Sequence, residues 1–218
     1  IPTASDNNCR PGLIGAGMTA YRLTSNSLRA AALSLLLSGL VLSSAAQSIT
    51  SRFPDEAEPH EGTWLAWPHQ YTYGTAYRNS LDATWVAMAA ALVGGERVHI
   101  IAYNATERTR ITNLLNVASV PLGRVDFLLR QTDDVWVRDN GPMFVVDGGG
   151  ALKVSDWGFD GWGDDTPFAK DDAVPAGVAA ALGLPRVDLG GIVLEGGAIE
   201  HDGRGTMLAT RSSTLDTA

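Results

Sequence analysis

The chain has 218 residues, 45% of them hydrophobic and 18% charged, and a formal net charge of −8. That is enough chain for one domain with a sizeable core, and the acidic balance argues against a nucleic-acid partner, whose phosphates need a basic surface. The single cysteine, Cys9, excludes an intramolecular disulfide, and no Cys/His spacing for zinc is present.

Cys9 sits in the polar stretch Asp6–Pro11 with no histidine nearby in sequence, a poor setting for a nucleophile. Met18 then opens a run with Arg22 and Arg29 ahead of an apolar segment, Ala30 to Leu42, followed by Ser44-Ala45-Ala46. This is the layout of a cleavable export signal, and the apolar stretch is too short to span a bilayer as a helix. The expected organisation is an upstream segment at 1–17, a signal peptide at 18–46 and a mature domain from 47 to 218. The corresponding location is secreted or periplasmic.

From Gln47 onward, strand and helix cues alternate. Thr63 to Trp67 is a short apolar strand closed by Pro68. Ser80 is placed to cap a helix whose Leu81, Trp85, Met88 and Leu92 recur at helical spacing, with Gly94-Gly95 ending it. Val98 to Tyr103 reads as a strand, Thr106 to Leu115 as a helix and Val125 to Leu129 as a strand. Met143 to Val146 and Leu152 to Val154 flank Gly148-Gly149-Gly150 as a hairpin. A helix is expected over Asp171 to Leu182 despite Pro175, then strands at Val187–Leu189, Ala198–Glu200 and Met207–Ala209. The class is α/β, with hairpins that do not fit strict βαβ order.

Three segments gather unusual residues beside glycine turns: 54–68, which contains Glu58-Pro59-His60 and Thr63-Trp64; 133–142, Asp-Asp-Val-Trp-Val-Arg-Asp-Asn-Gly-Pro; and 194–203, which begins Leu-Glu-Gly-Gly. In the second, Trp136 and Asp139 lie three apart around Arg138. A carboxylate beside an aromatic face suits a guanidinium, which donates paired N–H bonds and stacks on rings. Spacing alone favours a plainer reading, an ion pair between Arg138 and an aspartate with Trp136 in the core. In the third, Glu195 precedes two glycines that let backbone pass close to a ligand. Asp156, Asp160, Asp164 and Asp165 lack the D-x-[DN]-x-[DN]-G pattern of a calcium loop.

Taken in order, the three segments resemble the agmatine deiminase and Porphyromonas-type peptidylarginine deiminase family. Its pattern is Glu-Pro-His before Thr-Trp-x-x-Trp-Pro, then Asp-x-Trp-x-Arg-Asp-x-Gly-Pro, then Leu-Glu-Gly-Gly-x-Ile. Phe159-Asp160-Gly161-Trp162-Gly163 is similar to the family's aromatic stretch between the last two. The resemblance covers about residues 52–216.

The resemblance implies a pentein fold, a pseudo-fivefold α/β propeller of ββαβ units, incomplete here. It implies a hydrolase that deiminates a guanidinium substrate through a cysteine thiolate, most simply agmatine to N-carbamoylputrescine and ammonia, with no cofactor and no metal. Peptidyl-arginine is the close alternative, because both substrates share the head group. On matching positions Asp139 and Glu195 would be guanidinium-binding carboxylates and Trp136 would line the pocket. Asp133 and Asp134 would stand behind them. His60 would be structural or at the rim, and His201 an exposed turn histidine. The family's His-x-Asp and cysteine are expected beyond Ala218, which would leave the chain inactive alone. The expected partner is a small cationic substrate or an arginine side chain, with neither nucleic acid nor membrane engaged by the mature form. A secreted binding protein using such a cleft without chemistry is the alternative from another class.

Overall fold

The computed structural model describes residues 51–215; the expected export segment and Cys9 lie outside them. Three parallel strands, β2 (Gly62–Ala66), β3 (Arg97–Ala102) and β4 (Val125–Leu129), form one sheet in the order β2-β3-β4. They are joined by helices α1 (Gln70–Leu92) and α2 (Ala105–Val117). A second sheet has the order β1-β5-β6-β7, from Ser51–Arg52, Met143–Asp147, Leu152–Gly158 and Arg186–Val193. Here β5 and β6 are an antiparallel hairpin, helix α5 (Val174–Leu182) crosses over, and β7 returns parallel to β6. That run, β5-β6-α5-β7, is one ββαβ unit. A short hairpin, β8 (Ile199–His201) with β9 (Met207–Ala209), and a helical turn, α6 (Arg211–Leu215), follow.

Alternation along β3 assigns the two faces of the first sheet. Val98, Ile100 and Ala102 pack with Ala89, Ile111 and Leu115 under α1 and α2. Ile101 faces the other way and joins Ala66, Val135, Val174 and Val178. The second cluster ties this sheet to α5 and to the chain leaving β4. A third, Met143, Leu194 and Ile199 with Phe53 and Trp157 against it, holds the end of β7 to β5 and β8.

Several boundaries differ from those expected. Helix α1 begins ten residues before Ser80, whose hydroxyl donates to the Tyr77 carbonyl at 2.7 Å instead of capping. A left-handed Gly74 (φ 69°) kinks the helix after its first turn. Helix α5 starts at Val174, not Asp171, because Pro175 belongs in a first turn and the Asp171 side chain is committed elsewhere. Strand β7 extends well beyond Val187–Leu189, to Val193, with a register shift at Trp157/Gly158.

Candidate functional site

The chain leaves the carboxyl end of β4 and, after Trp136, makes the short helix α3 (Val137–Asn140). Asp139 and Asn140 donate their backbone N–H groups to the Trp136 carbonyl at 2.9 and 3.0 Å. Gly141 must be glycine: a Cβ there would lie 2.1 Å from the Val137 carbonyl oxygen. Pro142 then forces extended backbone before it, so the turn stops and Asp139 is held on a single stub.

The Glu195-Gly196-Gly197 turn packs directly on that stub. A Cβ on Gly196 would sit 2.2 Å from the Arg138 carbonyl oxygen, and one on Gly197 would sit 2.1 Å from Asp139 Oδ1. Without those side chains, the Gly197 N–H donates to Asp139 Oδ1 at 3.0 Å. Asp139 Oδ2 accepts from the Trp162 indole Nε1 at 3.3 Å. Two bonds leave lone pairs on the carboxylate free for a ligand. Trp162 lies in α4 (Gly161–Asp164) with left-handed backbone (φ 60°), a conformation that costs a non-glycine residue about 1–2 kcal/mol. It is held there by Asp139 and by edge-on contact with Phe159, ring centroids 5.1 Å apart.

Glu195 is half-buried, and its carboxyl is pushed above the ordinary carboxylate value, first by burial and then by the charges of Asp160 and Asp139. Three carboxylates from three segments therefore share one region, and the Arg138 guanidinium, which also feels the charge of Asp139, gives its hydrogen bond to Glu56 instead. Trp136 is not in the core: 54% of it is exposed. Nor does Arg138 pair with an aspartate; its guanidinium bonds the carboxylate of Glu56, which lowers that carboxyl's pKa. The plainer reading of this segment is thus corrected on both counts.

The other residues sort by position. Asp133 pairs with Lys170, and Asp134 accepts from the Tyr73 hydroxyl and from the Val135 N–H, so both hold the segment that leads to Trp136. His60 bonds the Glu58 carbonyl and Glu96 Oε2, both at 3.0 Å, near the amino ends of β2 and β3 and away from the chain that leaves β4. His201 is not an exposed turn residue; it ends β8, half-buried edge-on against Phe53 at 4.1 Å. Asp156 pairs with Arg186 at 2.7 Å, and Asp160 accepts from Gly163 N–H. Sequence reasoning missed the part of Asp160 and Trp162 in the site. Their only sequence clue is the aromatic, glycine-rich stretch 159–163.

The sequence profile of the Porphyromonas-type peptidyl-arginine deiminase family matches residues 52–218. The chain belongs to this family. The agmatine deiminase of Pseudomonas aeruginosa (strain LESB58) is 33% identical over 171 residues, which are 76% of this chain and 45% of the relative. Among solved structures, the agmatine deiminase of Enterococcus faecalis superposes with a TM-score of 0.68 at 26% identity, over 77% of this chain and 46% of that one. The agmatine deiminase of C. jejuni with substrate bound gives a TM-score of 0.63 at 25% identity, over 74% and 46%. The fold is therefore that of the guanidine-modifying deiminases, the pentein fold. The chain spans about half the length of these family members.

Proposed function

We propose that this chain carries the guanidinium-gripping side of a hydrolase that converts agmatine and water to N-carbamoylputrescine and ammonia, a step in putrescine biosynthesis. The observation that carries the reading is the partner choice of Arg138. Because Glu56 takes that arginine's hydrogen bond, Asp139 keeps lone pairs beside Glu195 and Asp160, and the charges of Asp139 and Asp160 raise the Glu195 carboxyl. A planar cation supplies what is missing there: parallel N–H donors for two carboxylates and a flat face for an exposed indole. Asp139 and Glu195 bind and orient the guanidinium, and Trp136 lines its approach. Held this way, the guanidinium carbon is fixed for attack by the thiolate that the family resemblance implies; orientation is a large share of such a rate enhancement.

Agmatine leads because relatives of comparable likeness bear that activity in their names. Peptidyl-arginine presents the same head group, and the reading of 18–46 as an export signal favours it, since export would bring the domain to arginine in extracellular proteins. Calorimetric titration of the 218-residue chain with agmatine, a blocked arginine peptide and putrescine separates the readings. Heat with agmatine and none with putrescine is expected. Tighter binding of the peptide would move the assignment to protein-arginine deimination, and equal binding of putrescine would overturn a guanidinium site. Export is tested by mass spectrometry of the secreted product. A mature end near Gln47 is expected, and an intact Met18 start would contradict it.

A further inference from the structure

Just before α5, three consecutive residues reach the two segments that support the candidate site, Lys170 and Asp171 the first and Asp172 the second. Lys170 donates its backbone N–H to Asp133 Oδ2 at 2.8 Å, and its ammonium pairs with the same carboxylate. Asp171 is 1% exposed, and its two oxygens accept from the backbone N–H groups of Asp133 and Asp134 at 2.8 and 2.9 Å. Asp172 Oδ1 accepts from the Phe159 N–H at 2.8 Å. Asp133 and Asp134 begin the segment that carries Trp136 and Asp139, while Phe159 begins the one that carries Asp160 and Trp162. The turn itself is fixed, since Asp172 N–H donates to the Phe168 carbonyl and Val174 N–H to the Asp171 carbonyl.

We infer that Asp171 and Asp172 are positioning residues that set the two halves of the guanidinium site against each other, one aspartate gripping each half. The inference rests on the proposed guanidinium site and adds the residues that align it. The core beneath, Val174 and Val178 against Ile101 and Val135, binds α5 to the sheet through apolar contacts separate from these bonds. A carboxylate fully buried with Asp133 and Asp134 as neighbours is an expensive way to tie a loop. An aligned pair of backbone acceptors is what it supplies in return. The groups around Asp171 are Asp133, Asp134, Lys170 and the Tyr73 phenol.

The two aspartates make different demands, which gives a sharp test. Asp171 uses both oxygens as acceptors, so Asp171→Asn must place an amide N–H against a backbone N–H. Asp172 uses one oxygen, so Asp172→Asn keeps the bond and Asp172→Ala loses it. Variants of the 218-residue chain are compared at pH 8 by circular dichroism for folding, amide hydrogen exchange, and the indole N–H resonance of Trp162. Asp171→Asn should speed exchange at Asp133 or Asp134 at least tenfold and move the Trp162 resonance. Asp172→Ala should do the same at Phe159, and Asp172→Asn should restore wild-type behaviour. Agmatine affinity should fall at least tenfold in the two disruptive variants and recover in Asp172→Asn. An unchanged Trp162 resonance in Asp171→Asn and Asp172→Ala, or equal disruption by both asparagine variants, would overturn the inference. If circular dichroism shows Asp172→Ala to be unfolded, the contrast between the two asparagine variants decides. Wild-type protein that ignores agmatine while the resonance shifts follow this pattern would count against the proposed substrate and not against the alignment.

Discussion

Asp139 is held by two neutral donors, Gly197 N–H and the Trp162 indole, and faces the acidic neighbours Glu195 and Asp160. Asp139→Asn keeps the volume and one acceptor but removes the charge and half of a paired guanidinium contact. Losing one partner of such a contact costs roughly 2–5 kcal/mol, so agmatine affinity should fall by at least tenfold in a calorimetric titration. Undiminished affinity would mean that the guanidinium sits elsewhere. Glu195 adds a pH dependence. Its carboxyl is raised above its ordinary value of 4.5, by burial first and then by Asp160 and Asp139. Only the ionised form holds a cation, so affinity should drop as pH falls through that raised pKa. The bound cation in turn favours the ionised form, so binding there should release protons, which titrations in buffers of different ionisation enthalpy will measure. Zero proton release across this window would contradict it. At this scale the sequence was most legible. Trp136, Asp139 and Glu195 stand in strings whose spacing marks them, whereas the Arg138–Glu56 pair spans 82 positions and follows no local pattern.

The elements that bring these residues together are short turns defined by what they exclude. Gly197→Ala would drive a methyl to within 2.1 Å of Asp139 Oδ1. Overpacking of this kind costs about 1–3 kcal/mol, and here it also displaces the carboxylate. Lower stability and loss of the Trp162 indole shift on agmatine addition are expected together. A stable Gly197→Ala protein that binds agmatine normally would show that the turn does not set Asp139. The turn before α5 carries a stability prediction of its own. Asp171 is raised from 3.8 to about 7, chiefly by burial, while the two backbone donors oppose the shift. Between those values the folded chain holds a proton that the unfolded chain has released, so this residue's contribution to stability is lost as pH rises toward 7. Asp171→Asn should flatten that slope in urea unfolding, and an unaltered slope would assign it to other groups. Element boundaries were less legible than residues. Periodicity found the middle of α1 but not its start, because the first turn rests on a buried His69, with Nε2 3.0 Å from the Thr132 carbonyl oxygen, and not on a capping side chain. Asp171 and Asp172 read as a helix start in sequence. Only their long-range bonds show otherwise.

Across the whole described domain, the site rests on the β2-β3-β4 layer, and a buried ionic network fixes its helices. Asp82 on α1 accepts from Trp67 Nε1 at 3.0 Å and from Arg110 at 2.6 Å. Glu107 on α2 accepts from Arg78 and Arg110, both at 2.7 Å. Removing one charge from such a network strands the others, at a cost of about 3–5 kcal/mol. Glu107→Gln should therefore shift the urea midpoint strongly while agmatine affinity, measured where the variant is folded, stays near wild type. A large loss of affinity in folded Glu107→Gln would tie the network to the site itself. The α/β class and the pentein resemblance were visible from alternation and motifs. The order of the second sheet was not, because β1 pairs with β5 across a long stretch of chain, Ser51 with Asp147 and Arg52 with Val146, and contributes only two residues.

The measurement that bears most directly on the proposed site is a crystal structure of this chain with agmatine. The guanidinium is expected between the carboxylates of Asp139 and Glu195, within hydrogen-bonding distance of both, with the Trp136 ring along its approach and the Trp162–Asp139 bond retained. A guanidinium bound away from Asp139 and Glu195, or paired with Glu56 in place of Arg138, would contradict the account.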